Sequence, residues 1–143
     1  MAKVRETTAE IDELLDGVRT VAVLGIKTAE QADQPAYYVP AYVQQAGLTI
    51  IPVPVYYPEA TEILGVPVVR SLAEIAGDID LVDVFRRSAD LRNHEVELVA
   101  RRPRAVWFQS GIRNDAVAAR LVAAGIDVVQ DRCLMVELKR RGR

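Results

Sequence analysis

The chain is poor in the side chains that build covalent cross-links and metal centres. It contains one cysteine, Cys133, and one histidine, His94, in 143 residues. A single cysteine excludes an internal disulfide framework and a multi-cysteine zinc site. Without a second histidine, a histidine-based metal site cannot be completed either. We therefore expect no metal ligands among the functional residues.

Charge of one sign and long apolar runs are also scarce. The formal net charge is -2, so the chain has no overall basic field for nucleic acid or for an anionic membrane surface. No apolar run approaches the roughly 20 residues that span a bilayer, and the N-terminus has no apolar signal-peptide core. We expect a cytoplasmic protein without nucleic-acid or membrane partners, in which any phosphate is recognised locally.

Hydrophobic residues make up 50% of the chain and fall into short runs. This amount of apolar material in 143 residues supports one compact core, so we predict a single domain over residues 1–143. A helix is expected within residues 1–18, because Thr7 and Glu10 match a capping box ahead of apolar residues at helical spacing. The basic stretch 139–143 is expected to be a solvated end.

Strand patterns alternate with helix patterns along the rest of the chain. This alternation predicts an α/β fold, a single doubly wound Rossmann-like domain with a five-stranded parallel sheet and helices on both faces. The strands are predicted at residues 21–24, 48–53, 79–85, 104–109 and 126–130, with a possible extra short edge strand at Val66–Val69. The helices are predicted at residues 35–47, 71–77, 88–101, 114–124 and 134–139.

Two local features qualify these helices. Pro40 lies at least five residues inside the second helix, so it should kink that helix or delay the start of its regular part. Ser71 and Glu74 have the spacing of a second capping box, which would begin a helical turn that ends by Gly77.

The residues suited to chemistry follow the predicted strands. The run Val21–Leu24 ends on Gly25, which suits a turn too tight for a side chain. The carboxyl ends of parallel strands meet at one edge of a sheet, where phosphates commonly bind. Five loops should converge there, at residues 25–28, 54–56, 86–88, 109–111 and 131–133. Three of them carry basic side chains that could pair with a phosphate.

A dinucleotide fingerprint is incomplete in this chain. It requires three glycines in the first turn and an acidic residue near the end of the second strand. Here the turn has only Gly25, and the second strand ends in the segment Pro52–Pro54 without an acidic residue. No Gly-Lys-Ser or Gly-Lys-Thr phosphate loop occurs either. These departures weaken a nicotinamide-cofactor interpretation but leave it open.

Four segments in a fixed order resemble a known family. They are VAVLG at residues 21–25, DLVDVFRR at 80–87, AVWFQSG at 105–111 and DRC at 131–133. Together they resemble the small bacterial and archaeal CoA-binding proteins, which are relatives of the N-terminal CoA-binding domain of the succinyl-CoA synthetase alpha subunit. The resemblance covers about residues 15–140. It implies that coenzyme A, or an acyl-CoA, lies across the carboxyl ends of the strands.

The resemblance also implies which residues contact the cofactor. Synthetase-like contacts fall on residues 27–30 (Lys27, Thr28, Ala29, Glu30) and on residues 109–111. Tyr56 stands approximately where the synthetase domain offers a lysine, so Lys27, Arg86, Arg87 or Arg132 would have to supply the missing positive charge. The full set of candidate cofactor-binding residues is Gly25, Ile26, Lys27, Thr28, Pro54, Tyr56, Phe85, Arg86, Arg87, Gln109, Ser110, Gly111, Arg132 and Cys133.

We also have expectations for three single residues. Cys133 is either a small packed residue or, near a helix N-terminus and beside Arg132, a thiol able to form a mixed disulfide with coenzyme A. His94 is expected on the surface or in an interface, away from the strand ends. Trp107 should pack in the core between Val106 and Phe108.

Three functions remain open. The first is a CoA or acyl-CoA binding module without chemistry of its own, acting as a carrier, a sensor or a subunit. The second is an NAD(P)-binding enzyme or redox sensor, and the third is a protein–protein module that binds no ligand. No nucleophile, base and orienting acid can be assembled from the sequence, and the synthetase's phosphorylated histidine belongs to a domain absent here. Acyl-CoA ligase activity is therefore not predicted, while a protein partner or a homo-oligomer stays open.

Overall fold

The computed structural model of the protein describes residues 1–143 and contains seven strands and five α-helices. The strands are β1 (Thr20–Leu24), β2 (Thr49–Val53), β3 (Glu62–Ile63), β4 (Val66–Pro67), β5 (Leu81–Val84), β6 (Ala105–Phe108) and β7 (Asp127–Val129). The α-helices are α1 (Thr8–Asp16), α2 (Pro35–Gln45), α3 (Glu95–Arg101), α4 (Asp115–Ala123) and α5 (Leu134–Arg140). Short 3-10 helices occupy Ala29–Gln31, Leu72–Glu74 and Ser88–His94.

Five of the strands form one parallel sheet in the order β2-β1-β5-β6-β7. The chain therefore moves outwards from β1 to one side through β2, then returns to the other side of β1 and continues through β5, β6 and β7. The direction changes between β1 and β5, and a crevice opens at such a switch point outside the carboxyl ends of the strands. The predicted α/β fold with a five-stranded parallel sheet is confirmed.

Helices cover both faces of the sheet, so most residues of its five strands are buried. One core cluster of 18 buried residues joins the sheet to α1, α2 and α5. The other, of 17 buried residues, joins it to α3 and α4. Trp107 is completely buried in the first cluster, as expected for its position in β6. None of the helices is long and apolar enough to cross a lipid bilayer.

Three local predictions differ from the structure. Val66–Pro67 pairs with Glu62–Ile63 in a separate antiparallel hairpin, so the edge-strand candidate does not extend the main sheet. The Ser71 capping box does not form, because the Glu74 carboxylate accepts from the Arg70 N–H instead. The predicted helix 88–101 is divided into the 3-10 segment Ser88–His94 and α3, since hydrogen bonds of the tighter type occupy its first half.

The two ends of the chain are tied together by ion pairs. Arg140 contacts Asp12 at 2.5 Å, and Arg141 pairs with Asp12 and Asp16 on α1. The basic stretch 139–143 is consequently held against the N-terminal helix by ion pairs, while four of its five residues remain exposed to solvent. The physical reason is charge complementarity, because α1 presents acidic side chains to the last turn of α5.

Candidate functional site

The floor of the site is a close contact between the ends of β1 and β5. Gly25 has a φ of +90°, and a Cβ atom built on it would lie 2.4 Å from the Phe85 carbonyl oxygen. Its N–H donates to the Val53 carbonyl at 2.9 Å. Only glycine allows this backbone conformation and this approach, so Gly25 shapes the switch point between three strands.

Above this floor lies a cleft of about 680 Å³. Loops after β1, β5 and β6 line it together with the N-terminal ends of α2 and α5. Eight of the candidate residues are brought together here: Lys27, Phe85, Arg86, Arg87, Gln109, Ser110, Gly111 and Cys133. The expectation that several separate loops converge at one edge therefore holds for these eight residues.

The charged side chains of the cleft are all cations. Lys27, Arg86 and Arg87 line it, and no aspartate or glutamate does. This is a local reversal of sign in a chain with a formal net charge of -2. The N-terminus of α2 at Pro35 also opens into the cleft and adds the partial positive charge of a helix end. The site is thus suited to an anionic group.

The cleft is also lined by apolar side chains. Val39, Ile112 and Met135 line it beside Phe85. Two further lining residues, Tyr38 and Val136, keep 41% and 53% of their surface exposed. A ligand that combines anionic groups with an uncharged, partly apolar chain would find both kinds of surface in one cleft.

Lys27 is fixed by its neighbours on α2. Its ammonium group donates to the Gln34 side chain, and its backbone N–H donates to the Ala36 carbonyl at 3.1 Å. Ala36 has this carbonyl free because Pro40, four residues on, has no N–H to donate. α2 begins at Pro35 and continues through Pro40, so the expected delay in its start does not occur. Pro40 thus leaves the Ala36 carbonyl free to accept from Lys27 in the loop after β1.

The loops after β6 and β7 are held by polar side chains, of which Gln109 and Trp107 are buried and Asp131 is exposed. The Gln109 carboxamide oxygen accepts from the Leu134 N–H at 3.0 Å, and the Trp107 ring N–H donates to the Arg132 carbonyl at 2.8 Å. The Asp131 carboxylate accepts from the Gly111 N–H at 2.6 Å. These contacts fix the backbone around Cys133, which is half-buried in the cleft wall.

Arg86 is the most constrained cation of the cleft. Its Nε donates to the Nε2 atom of His94 at 3.1 Å, and its guanidinium lies 5.5 Å from the centre of the Tyr56 ring. The Tyr56 hydroxyl lies 3.5 Å from Arg86 Nη1, and this cation lowers the pKa of the Tyr56 phenol below its ordinary value. Arg87 is much more exposed and pairs with Asp90 at 2.9 Å.

The contact with Arg86 corrects the expectation for His94. Its side chain is only 12% exposed and reaches the guanidinium of a cleft residue. A continuous α-helix from Ser88 would have directed it differently, so the error follows from missing the 3-10 segment. Nothing in the sequence spacing marks this pair, because 3-10 geometry depends on packing of the segment against the rest of the fold.

Six candidate residues lie outside the cleft lining, and Ala29 and Glu30 lie outside it too. Gly25 lies below it, Ile26 and Pro54 are buried, and Thr28 caps the Ala29–Gln31 turn. The Tyr56 side chain does not line the cleft but contacts Arg86, which does. Arg132 turns away, because its guanidinium donates to the Glu6 carbonyl at 2.6 Å. The structure therefore does not bring Arg132 to the other cations.

The chain matches a known protein family. Residues 19–139 match the model of the family described as CoA binding domain. The chain belongs to that family. The CoA binding domain thus covers all five strands of the sheet and every residue that lines the cleft. The predicted family resemblance is confirmed.

Two bacterial proteins resemble this CoA binding domain over nearly its whole length. The uncharacterized protein YneT of Bacillus subtilis (strain 168) is 38% identical over 128 residues, which cover 90% of this chain and 91% of that protein. The solved structure of cell-free ID.343 from Thermus thermophilus is 40% identical and superposes with a TM-score of 0.85, covering 94% of this chain and 98% of that one.

The fold also occurs within a larger enzyme. A dinucleotide-forming acetyl-coenzyme A synthetase of Ca. Korarchaeum cryptofilum superposes with a TM-score of 0.69 at 13% identity. The match covers 81% of this chain but 26% of the synthetase. At this identity the likeness is one of fold.

Proposed function

We propose that the protein binds coenzyme A or an acyl-CoA in the cleft at the carboxyl edge of the sheet, as a carrier, a sensor or a subunit without chemistry of its own. Membership of the CoA binding domain family supports this choice of ligand. The observation that carries it is the presence of three cationic side chains and several apolar ones in one cleft of about 680 Å³.

The two surfaces match the two halves of coenzyme A. Its phosphates are anions, which guanidinium and ammonium groups bind through charge-assisted hydrogen bonds. Arg86 and Lys27 offer such groups in orientations that neighbouring side chains already hold, so little entropy is lost when they bind. The pantetheine arm is an uncharged chain, which suits apolar lining residues such as Val39 and Met135.

The polar side chains of the cleft support binding rather than bond-making chemistry. Gln109 accepts from the backbone at the start of α5, and the Ser88 hydroxyl accepts from the Arg113 N–H at 3.0 Å. These groups hold loops in place and are occupied by that role. A binding module needs a rigid, preformed cleft, and this is what their contacts provide.

Isothermal titration with CoA, acetyl-CoA, NAD and NADP tests the proposal. We expect heat of binding with the two CoA species and none with the nicotinamide cofactors. Heat with NAD or NADP and none with CoA would overturn the proposal in favour of the dinucleotide interpretation. Absence of heat with all four would favour a protein–protein module.

A pair of arginine variants localises the site. Arg86→Ala removes a cleft cation and should weaken CoA binding about tenfold, as expected for a hydrogen bond to a charged group. Arg92→Ala removes the same charge from an exposed residue of the 3-10 segment Ser88–His94, outside the cleft, and should leave affinity unchanged. Equal losses in the two variants would indicate non-specific attraction and contradict the site.

A further inference from the structure

A hydrogen-bonded chain of side chains runs from the cleft into the protein. Arg86 donates through Nε to His94 Nε2 at 3.1 Å, and His94 Nδ1 lies 3.3 Å from Glu97 Oε2. The other carboxylate oxygen, Glu97 Oε1, accepts from the Leu72 N–H at 3.2 Å. The chain thus connects a cleft cation, a histidine, a carboxylate and the backbone of another segment.

The chemistry of these groups determines where the protons lie. A guanidinium has only donors, so His94 Nε2 must be the acceptor and cannot carry a hydrogen. The neutral ring then carries its hydrogen on Nδ1 and donates it to the Glu97 carboxylate. Glu97 therefore selects the tautomer of His94, and His94 selects the orientation of Arg86.

We infer that His94 is a positioning residue that holds Arg86 for ligand binding, and that its protonation at Nε2 releases Arg86 and weakens binding of CoA. The inference rests on the proposed function. The free ring nitrogen of a neutral imidazole can take up a second proton. Once Nε2 carries that proton, two donors and two positive charges face one another across the 3.1 Å contact.

The remaining contacts of Arg86 are too long to replace the lost one. The Tyr56 hydroxyl lies 3.5 Å from Nη1, and the Asp90 carboxylate lies 3.9 Å from Nη2. Asp90 is also engaged at 2.9 Å by Arg87. The released guanidinium would therefore lose its fixed orientation, and its ordering would oppose ligand binding.

The opposing effect is the charge that His94 itself gains. A cation near the cleft would attract the ligand phosphates, but Glu97 lies 3.3 Å from the ring and offsets that charge. The groups that face His94 directly are Arg86 from the loop after β5 and Glu97 from α3, and Tyr56 and Asp90 contact it only through Arg86. Loss of orientation should consequently exceed the gain in attraction.

The tautomer is measurable without any ligand. His94 is the one histidine of the chain, so nitrogen NMR of protein labelled with ¹⁵N-histidine reports this ring alone. We expect the neutral ring to carry its hydrogen on Nδ1. A ring protonated on Nε2 in its neutral form would overturn the inference, because it could not accept from Arg86.

Affinity measured against pH tests the consequence. The titrant is dephospho-CoA, because the terminal phosphate of CoA itself takes up a proton near pH 6. Between about pH 8 and pH 5.5 the wild-type affinity should fall about fivefold or more. His94→Gln keeps an acceptor for Arg86 that does not titrate, so its affinity should match wild type at the higher pH and change less than about twofold.

His94→Leu supplies the second comparison. It removes the acceptor, so its affinity should be about tenfold lower at both pH values, with no slope beyond that of His94→Gln. Parallel pH profiles for all three proteins would overturn the inference while leaving the proposed function intact. A wild-type protein that binds neither CoA nor dephospho-CoA at any pH would overturn the proposed function, and this inference with it.

Discussion

Replacing Asp83 by asparagine should remove a pH dependence from the free energy of unfolding. Asp83 lies in the centre of β5, in register with Val23 on β1 and Trp107 on β6. Its side chain is completely buried, and neither carboxylate oxygen accepts a hydrogen bond. Burial away from any partner disfavours the charged form and raises the pKa of Asp83 well above its ordinary value.

The direction of this pH dependence follows from which state, folded or unfolded, loses the Asp83 proton at lower pH. The unfolded chain loses the Asp83 proton near pH 3.9, while the folded protein keeps it to higher pH. Between the pKa of Asp83 in the unfolded chain and its higher pKa in the folded protein, folding requires uptake of a proton. The free energy of unfolding is therefore highest below this interval and falls as the pH rises through it. The slope is about 1.4 kcal/mol per pH unit for one group. Total stabilities are about 5–15 kcal/mol, so the effect is large enough to measure.

Urea unfolding monitored by fluorescence of Trp107, the single tryptophan, measures this slope at several pH values. Asparagine keeps the size of the side chain and cannot ionise. The Asp83→Asn variant should therefore gain stability relative to wild type by about 1.4 kcal/mol for each pH unit within the interval. A difference between the two proteins that does not change with pH would refute the reasoning.

Two more outcomes follow from the geometry of the cleft. Gly25→Ala should lower the free energy of unfolding by about 3 kcal/mol in urea unfolding, because it adds a clash with the Phe85 carbonyl to an unfavourable φ. Gly47→Ala, which has a positive φ but open space around it, should cost only about 1 kcal/mol. Equal losses in the two variants would contradict the close contact at Gly25. Alkylation of Cys133 by iodoacetamide should slow about tenfold with saturating acetyl-CoA, whose sulfur is blocked and cannot consume the reagent, and not with NAD. Equal rates by mass spectrometry would place the ligand elsewhere.

The sheet was predictable because its strands are short apolar runs of β-forming residues bounded by helical patterns. The predicted strands 79–85 and 104–109 contain β5 and β6. These strands pair in parallel, so the loops that follow them lie at the same edge of the sheet. The predictions that failed were those where local pattern competes with packing. The segment Ser88–His94 has helical spacing, yet it forms the tighter 3-10 type.

The candidate site was predictable as a set of loops, and less so as a set of side chains. Lys27, Arg86 and Gln109 line the cleft because their strands end there. Arg132 does not, because its long side chain found an acceptor in the Glu6 carbonyl, a partner 126 residues away in sequence. Side-chain direction at a loop depends on such distant contacts, which no local pattern records.

Pro40 illustrates the same limit in the opposite direction. From sequence it is a helix-breaking residue, and its effect was expected within α2. In the structure the consequence appears at Lys27, which uses the Ala36 carbonyl that a proline leaves free. A local rule identified the missing hydrogen bond correctly but could not indicate which residue would use the vacant acceptor.

Native mass spectrometry of the protein with equal concentrations of CoA and NAD tests the central claim most directly. The proposal predicts a one-to-one complex with CoA, formed in preference to NAD, and a weaker complex for Arg86→Ala but not for Arg92→Ala. Retention of NAD alone, or of neither molecule, would contradict it.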